Sequence, residues 1–371
     1  MTRRRYRFGF ILSTSLGNLT RYENFRKFAV LDADVECVWA PVSHYIAPGE
    51  KDPFRFLPGF LRTRAIVLMQ SMPVLRRFGS FDAVMIHMLE VDILTALRSY
   101  FCDKPLRIIS TDDAPVLDPG TYPIHPAERN KPRWKQAIRL RIDLWRARRA
   151  NLLIPFSDWA ASILVSGAGI PRARVTAIHV GIDVELWRFK PRSIGPATGK
   201  ARLLFVGGEF VRKGGAHLLE AFRKQLSSVA ELHLVTKNAP PDMPEGVYVY
   251  SSMQPNDERL IDLYHSADIF VLPTTSDLAP WVILEAMASG CPVIATPVGG
   301  IVNLVVEGET GLLVPVGDVD RLIEAIQSLI RDPALRVRMG ASGRAYVENH
   351  FDARKNVARI LQIMKAAVDE G

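Results

Sequence analysis

The residues with the greatest chemical capacity lie in one run: Thr275-Ser276-Asp277-Leu278-Ala279-Pro280-Trp281-Val282-Ile283-Leu284-Glu285-Ala286-Met287-Ala288-Ser289-Gly290. An apolar strand, residues 268–272, leads into it. Pro280 suits the first turn of a helix, where a missing N–H costs nothing, and Gly290 suits its C-terminal cap. The backbone around Leu278, Ala279, Pro280 and Trp281 turns its amides toward whatever lies beyond the strand's carboxyl end. Helix-start amides attract anions, while Asp277 and Glu285, which bracket the loop and the first two turns, accept hydrogen bonds from hydroxyls. A ligand that is anionic and rich in hydroxyls, such as a nucleotide sugar, fits. An ordinary capped helix in an α/β protein uses the same residues.

A second run, Val206-Gly207-Gly208-Glu209-Phe210-Val211-Arg212-Lys213-Gly214-Gly215, also joins a strand to a helix. It lacks the G-K-[ST] ending of a Walker loop. Its glycines permit close backbone approach, and Arg212 with Lys213 supplies two permanent charges that neutralise a diphosphate without a metal. A glycine turn with solvated basic residues is the alternative.

Other candidates are single residues at strand ends. Gly17, in Ser13-Thr14-Ser15-Leu16-Gly17-Asn18, offers a small-residue loop that a phosphate can approach, although turns use the same residues. His87 closes the run Phe81-Asp82-Ala83-Val84-Met85-Ile86-His87, as a ligand to substrate or as a structural histidine. Asp112 either faces a substrate hydroxyl or caps its turn. Asp32-Ala33-Asp34 has the form of a metal-binding Asp-x-Asp pair but precedes a strand, so it reads as a turn, and Asp318-Val319-Asp320 reads as a helix cap. There is no Cys/His cluster of metal spacing, no G-x-S-x-G elbow and no G-x-G-x-x-G, which argues against zinc chemistry, an α/β hydrolase and a dinucleotide oxidoreductase.

The elements that must position these residues alternate. Strands are expected at 7–12, 35–39, 81–87, 106–110, 151–155 and 175–178, then at 202–207, 231–236, 247–250, 268–272, 292–296 and 311–314. Helical patterns lie between them, including 22–30 and 132–150, and three more helices follow at 318–330, 333–349 and 353–369. Such alternation implies parallel, doubly wound sheets whose sites sit at the strands' carboxyl ends. A chain of 371 residues exceeds one ordinary core. The proline- and glycine-bearing stretch 191–200 is the expected linker between domains at 1–190 and 201–350.

Three scattered cysteines, Cys37, Cys102 and Cys291, form no disulfide framework and point to a reducing compartment, hence a cytoplasmic protein. The apolar run 8–12 is too short for a signal core, and the charge-free stretch 286–306 is interrupted by prolines and glycines, so no membrane span is expected. The net charge is +8, concentrated at 3–7, 62–77 and 129–149. No nucleic-acid module accompanies it, which leaves a phosphorylated substrate or anionic lipid as the partner. In residues 52–79 arginines alternate with Phe, Leu, Ile and Met, which reads either as a helix resting peripherally on an anionic membrane or as a core helix with a wet basic side.

Taken in order, these motifs resemble the family 4 retaining glycosyltransferases, also called glycosyl transferase group 1. The resemblance rests on Lys213-Gly214 after a strand, and on Asp277-x7-Glu285 followed by Ala286-Met287-Ala288-Ser289-Gly290-Cys291-Pro292. Further support comes from Leu263-Tyr264-x3-Asp268, Pro297-Val298-Gly299-Gly300, Gly308-Glu309-Thr310-Gly311 and His179-Val180-Gly181-Ile182-Asp183. It is strong from about residue 156 onward and loose before that.

The resemblance implies a GT-B fold: two Rossmann-like domains facing a cleft, donor on the second, acceptor on the first, and a final helix, within 351–371, crossing back to the first. It implies that Glu285 binds the donor ribose and Asp277 the sugar hydroxyls. Leu278, Ala279, Pro280 and Trp281 would line sugar and phosphate, and Arg212 and Lys213 would hold the diphosphate beside Gly207, Gly208 and Gly17. Tyr250 and Met253 would lie near the base, and His87 near the transferred sugar. The implied activity is metal-independent, cofactor-free transfer of a hexosyl group, with retention, from a nucleoside-diphosphate sugar to a glycan, lipid-linked or small-molecule acceptor, as in polysaccharide synthesis. A nucleotide-sugar epimerase of the same fold and a non-catalytic nucleotide-sugar-binding protein are the alternatives. The chain departs from the family pattern where Asp277 replaces the usual Glu, Leu278-Ala279 replaces Gly-Phe, and Gly208 replaces a frequent arginine.

Overall fold

The computed structural model describes residues 4–15, 18–44, 46, 51–87, 89–102, 104–111, 132–179, 181–191 and 199–370. They form two compact units, one of residues 4–111, 132–181 and 353–370, the other of 182–352. The division falls between Gly181 and Ile182, ahead of the stretch 191–200, of which 192–198 lies outside the described residues. Residues 182–190 belong to the second unit because Trp187 is fully buried there, edge-on to Tyr264 with ring centroids 5.3 Å apart.

The first unit is built on β1 (Tyr6–Ser13), β2 (Val35–Val42), β3 (Ala83–His87), β4 (Leu106–Thr111) and β5 (Leu152–Pro155). They form a parallel sheet in the order β2-β1-β3-β4-β5, with Phe8 beside both Cys37 and Ala83. Parallel strands covered on both faces read as near-continuous apolar runs, and β1 is buried along almost all its length. The expected strand at 175–178 is reduced to one bridge, Leu153 to Val175.

Helices α1 (Asn18–Ala29), α2 (Gly59–Leu75), α3 (Leu89–Arg98) and α4 (Arg133–Arg148) lie between these strands in the chain, and the short α5 (Asp158–Ser162) follows the last of them. On one face, α1 packs with the final helix of the chain, Ala353–Glu370. Val357, Leu361, Met364 and Val368 of that helix recur at helical spacing and meet Phe8, Phe10 and Phe25 in one core. Lys365 Nζ binds Asp32 at 2.6 and 2.8 Å, and the Tyr6 hydroxyl donates to Asp369 at 2.7 Å. The Asp32-x-Asp34 pair is thus occupied as an ion-pair anchor and a turn. On the other face, Val67 and Val74 of α2 and Val91 of α3 pack against Ile11 and Val84. Gly9 is required in β1 because a Cβ there would come within 2.8 Å of Val74 Cγ1.

The second unit is built on β6 (Ala201–Val206), β7 (Ala230–Val235), β8 (Val247–Tyr250), β9 (Ile269–Leu272), β10 (Val293–Ala295) and β11 (Gly311–Leu313), parallel in the order β11-β10-β9-β6-β7-β8. Its helices are α6 (Gly215–Ala221), α7 (Glu258–Ser266), α8 (Trp281–Ala288), α9 (Ile301–Leu304), α10 (Val319–Arg331) and α11 (Pro333–His350), and the chain ends with α12 (Ala353–Glu370) of the first unit. Asp257, Asp318 and Asp332 each accept a backbone amide at a helix start. Asp318 therefore caps, as its spacing predicts.

Candidate functional site

Adjacent strands β6 and β9 end side by side, and the two chemically rich runs meet there. Lys213 Nζ is ion-paired with the Asp277 carboxylate, and both side chains are mostly buried. Asp277 Oδ1 also accepts the Leu278 amide at 3.0 Å. The neighbouring Arg212 is spent differently. Its Nε and Nη2 donate as a fork to Glu209, each at 2.9 Å, and its Nη1 donates to the Ser276 carbonyl at 2.6 Å. These Glu209 bonds hold the guanidinium above its ordinary range. The Arg212 carbonyl accepts the Thr275 amide at 3.0 Å and the Thr274 and Thr275 hydroxyls at 3.1 and 3.0 Å. Arg212 therefore laces the basic turn to the acidic loop, while Lys213 presents its charge to Asp277.

Two glycines make this junction possible. Gly214 has φ +82°, and a Cβ on it would fall 1.9 Å from the Pro273 carbonyl oxygen. Gly299 has φ +55°, and its Cβ would fall 2.0 Å from the Asp277 carbonyl oxygen. The next residue, Gly300, donates its amide to Leu278 at 2.8 Å, so the Pro297–Gly300 turn clamps the acidic loop from behind. Gly207 is close-packed on Lys213, whereas Gly208 opens onto space.

Helix α8 starts at Trp281 behind Pro280 and stops at Gly290, whose φ is +75°. Of the four loop positions expected to offer amides, Leu278 gives its own to Asp277 and Pro280 has none, so Ala279 and Trp281 are the ones with an amide to offer a ligand. Glu285 lies on α8 and is 5% exposed. Burial pushes its carboxyl up to about 7, against the opposing effect of the Tyr264 hydroxyl, which donates to Oε2 at 2.8 Å. The Tyr264 phenol is itself raised, by burial first and the Glu285 charge second.

The remaining candidates stand apart. Tyr250 ends β8, two strands from β6 in the sheet. Its hydroxyl is 3.0 Å from His233 Nδ1 and its ring stacks on that imidazole, whereas Met253 lies in the connection that follows β8. In the first unit His87 ends β3, where Arg21 Nη1 reaches its Nδ1 at 2.8 Å and Phe156 meets its ring edge-on. Arginine only donates, so Nδ1 is the acceptor in this contact. Arg21 also reaches Ser110 and stacks over Phe156 at 4.1 Å. Gly17 and Asp112 lie outside the described residues. Sequence reasoning passed over Glu209, Arg21 and the role of Tyr264. A Tyr264 motif was visible, but nothing in it signals a bond to a residue 21 positions away.

Residues 200–332 match the model of the family described as Glycosyl transferases group 1. That span holds Lys213, Asp277 and Glu285 together. Over that span the chain is similar to the group 1 glycosyltransferases. Among curated relatives, the D-inositol 3-phosphate glycosyltransferase of Arthrobacter sp. (strain FB24) is 30% identical over 264 residues, which are 66% of this chain and 61% of that protein. The chain thus spans about three fifths of that relative's length. Among solved structures, sucrose-phosphate synthase from Thermosynechococcus elongatus matches with TM-score 0.79 at 19% identity, covering 99% of this chain and 100% of that one. Anabaena HepE in complex with UDP-glucose matches with TM-score 0.67 at 16% identity, covering 98% and 100%. These likenesses establish the fold of the domain's neighbours, GT-B, with its two parallel α/β sheets.

Proposed function

We propose that the chain transfers a hexosyl group, with retention at the anomeric carbon, from a nucleoside-diphosphate sugar to an acceptor hydroxyl. The observation that carries this reading is the Lys213–Asp277 pair at the carboxyl ends of β6 and β9, inside the family-matched span. An ammonium has three N–H donors and Asp277 does not use them all, so Lys213 can hold a diphosphate oxygen while Asp277 accepts from a sugar hydroxyl. Arg212, fixed by Glu209 and Ser276, keeps the two loops in register and adds charge nearby. Ala279 and Trp281 offer amides at the start of α8, and Glu285 is the acceptor for ribose hydroxyls. The binding of UDP-glucose by the similarly folded HepE supports a donor of this class.

In the step itself the bond from the anomeric carbon to the diphosphate oxygen breaks. The acceptor oxygen bonds to the same face of that carbon, and its proton passes to the departing phosphate oxygen. Negative charge grows on the diphosphate, so fixed cations and amides that meet it there lower the barrier. His87, whose Nδ1 faces Arg21, is the residue of the first unit assigned to a sugar oxygen in this reading. The reading includes independence from metal ions and a glycan, lipid-linked or small-molecule acceptor.

A thermal-shift panel of nucleotide sugars selects the donor. Incubation with that donor and candidate acceptors, with and without EDTA, then tests transfer, and the anomeric coupling in the product's NMR spectrum tests retention. An epimerised donor formed without acceptor would replace this reading with the epimerase. Tight donor binding without turnover on any acceptor would replace it with a binding protein.

A further inference from the structure

Helices α2, α3 and α4 lie in one layer on one face of the first sheet, α3 between the other two. The layer is locked to the sheet by a buried network. Arg107 of β4 donates through Nε to Asp92 of α3 at 3.0 Å, and Arg146 of α4 donates to the other oxygen of Asp92 at 2.9 Å and to Asp143 at 2.9 Å. The inward sides of the helices are thereby used. Their outward sides are unlike those of an ordinary covering layer.

On α2 the exposed apolar residues Leu61, Leu68 and Met69 stand seven and eight positions apart, on the side opposite the buried Ile66, Val67 and Val74. Arg64 flanks this stripe, as does Arg62, which is ion-paired with Asp52, and α2 itself contains no acidic residue. On α3 the stripe is Leu94, Leu97 and, one turn beyond the helix, Phe101, which is 87% exposed. On α4 it is Trp134, Ile138 and Ile142, at i, i+4 and i+8, flanked by Lys135, Arg139 and Arg141. Six of the residues of α4 are cationic and one, Asp143, is acidic, and that one is bound to Arg146. Tyr100 ties α3 to α4, accepting from Trp145 Nε1 at 3.2 Å. On the opposite face of the sheet the equivalent apolar stripe of α12 is buried.

We propose that the outer face of α2, α3 and α4 docks on an anionic lipid bilayer. Three side-by-side apolar stripes edged by arginines match an interface where hydrocarbon lies just below a layer of negative headgroups. Long basic side chains reach the phosphates while their stems and the apolar residues sink between the lipids, and a tryptophan at headgroup level adds to the hold. A second copy of the chain is a poor occupant, because a two-fold contact would set this basic face against itself. The contact is peripheral: no described helix is long and apolar enough to cross a membrane. The proposal stands apart from the transferase reading, since lipid binding needs no donor.

The test uses the full chain in flotation with vesicles of phosphatidylcholine containing about one third phosphatidylglycerol, against phosphatidylcholine alone. Binding is expected only to the anionic vesicles, and its loss is expected at about 0.5 M salt. Combined Arg62→Glu, Arg64→Glu and Arg141→Glu substitution lowers partitioning roughly a hundredfold, about fivefold or more per arginine. Leu68→Ser with Ile138→Ser lowers it without changing net charge. In the unsubstituted chain, brominated lipid quenches an emission component that Trp134→Phe removes, a readout independent of how well the charge variants fold. No flotation, equal flotation on neutral vesicles, or a dimer in sedimentation that these substitutions dissociate would each overturn the proposal.

Discussion

Lys213 and Asp277, 64 positions apart in the chain, form a largely buried ion pair where strands β6 and β9 end together. In the proposed reaction the pair joins a cation for a leaving diphosphate to a carboxylate for sugar hydroxyls, and neither side chain is fully solvated. Removing one partner of such a pair strands the other. Lys213→Ala should therefore lower turnover at least tenfold, about 1.4 kcal/mol in barrier, and also lower the melting temperature. Adding Asp277→Asn should restore much of the stability and none of the turnover. Recovery of both in the double variant would show the pair to be structural alone. Melting curves and saturating-donor kinetics on these two variants and the unsubstituted chain read this directly.

The buried Glu285 carboxyl gives a pH signature whose sign is opposite to that of a salt-bridged acid. Its proton affinity is raised from 4.5 to about 7 in the fold, so between those pH values the unfolded chain has lost a proton that the folded chain keeps. Stability from this group is thus greatest below pH 4.5 and declines as pH rises to about 7, by a total on the order of 3 kcal/mol. Glu285→Gln removes this dependence, so the difference between melting temperatures at pH 5 and pH 8 should change in the variant's favour at pH 8. With ionised Glu285 as the proposed acceptor for the donor ribose, the donor should show a KM that falls as pH rises through 7, and the variant should lose that trend. An unchanged melting difference would place Glu285 in a wetter setting than its 5% exposure implies.

Much of this arrangement was legible in the sequence because its signals are local. Gly214 and Gly299 mark backbone that only glycine adopts comfortably, Pro280 and Gly290 bracket α8, and apolar runs such as that of β9 mark buried parallel strands. What stayed hidden depends on partners distant in the chain. Nothing in the run Glu209–Lys213 distinguishes an arginine aimed at a ligand from one forked onto Glu209 and the Ser276 carbonyl. The division at Gly181 was equally obscure, because composition flags proline- and glycine-bearing stretches such as 191–200, whereas the boundary follows where Trp187 finds a core.

Tyr264 is expected to tune the site without touching the donor. Its hydroxyl is the hydrogen-bond donor to Glu285 Oε2 at 2.8 Å, and its ring is wedged between Trp187 and Phe270. Tyr264→Phe keeps the ring and removes the donor, which costs about 1–3 kcal/mol when the acceptor is buried and charged. The loss should be larger at pH 8 than at pH 5, because only the ionised carboxylate misses the bond strongly. Donor KM should rise while kcat at saturation changes little. A fall in kcat with unchanged KM would contradict a role exercised through Glu285.

The shape of the acidic loop, separate from its charges, can be tested at two glycines. Gly299 (φ +55°) and Gly308 (φ +75°) both occupy left-handed backbone, but a Cβ on Gly299 would lie 2.0 Å from the Asp277 carbonyl oxygen, and one on Gly308 would meet nothing within 4 Å. Alanine at either site carries the conformational strain, about 1–2 kcal/mol. Only at Gly299 must the Asp277–Leu278 backbone also move, breaking the 2.8 Å bond from Gly300 to Leu278. Gly308→Ala should therefore lower the melting temperature and leave turnover intact, whereas Gly299→Ala should lower turnover at least tenfold beyond any shared stability loss, because displacement of an ångström at a site loop costs rate steeply. Equal turnover in the two variants would mean that the position of Asp277 does not govern the reaction.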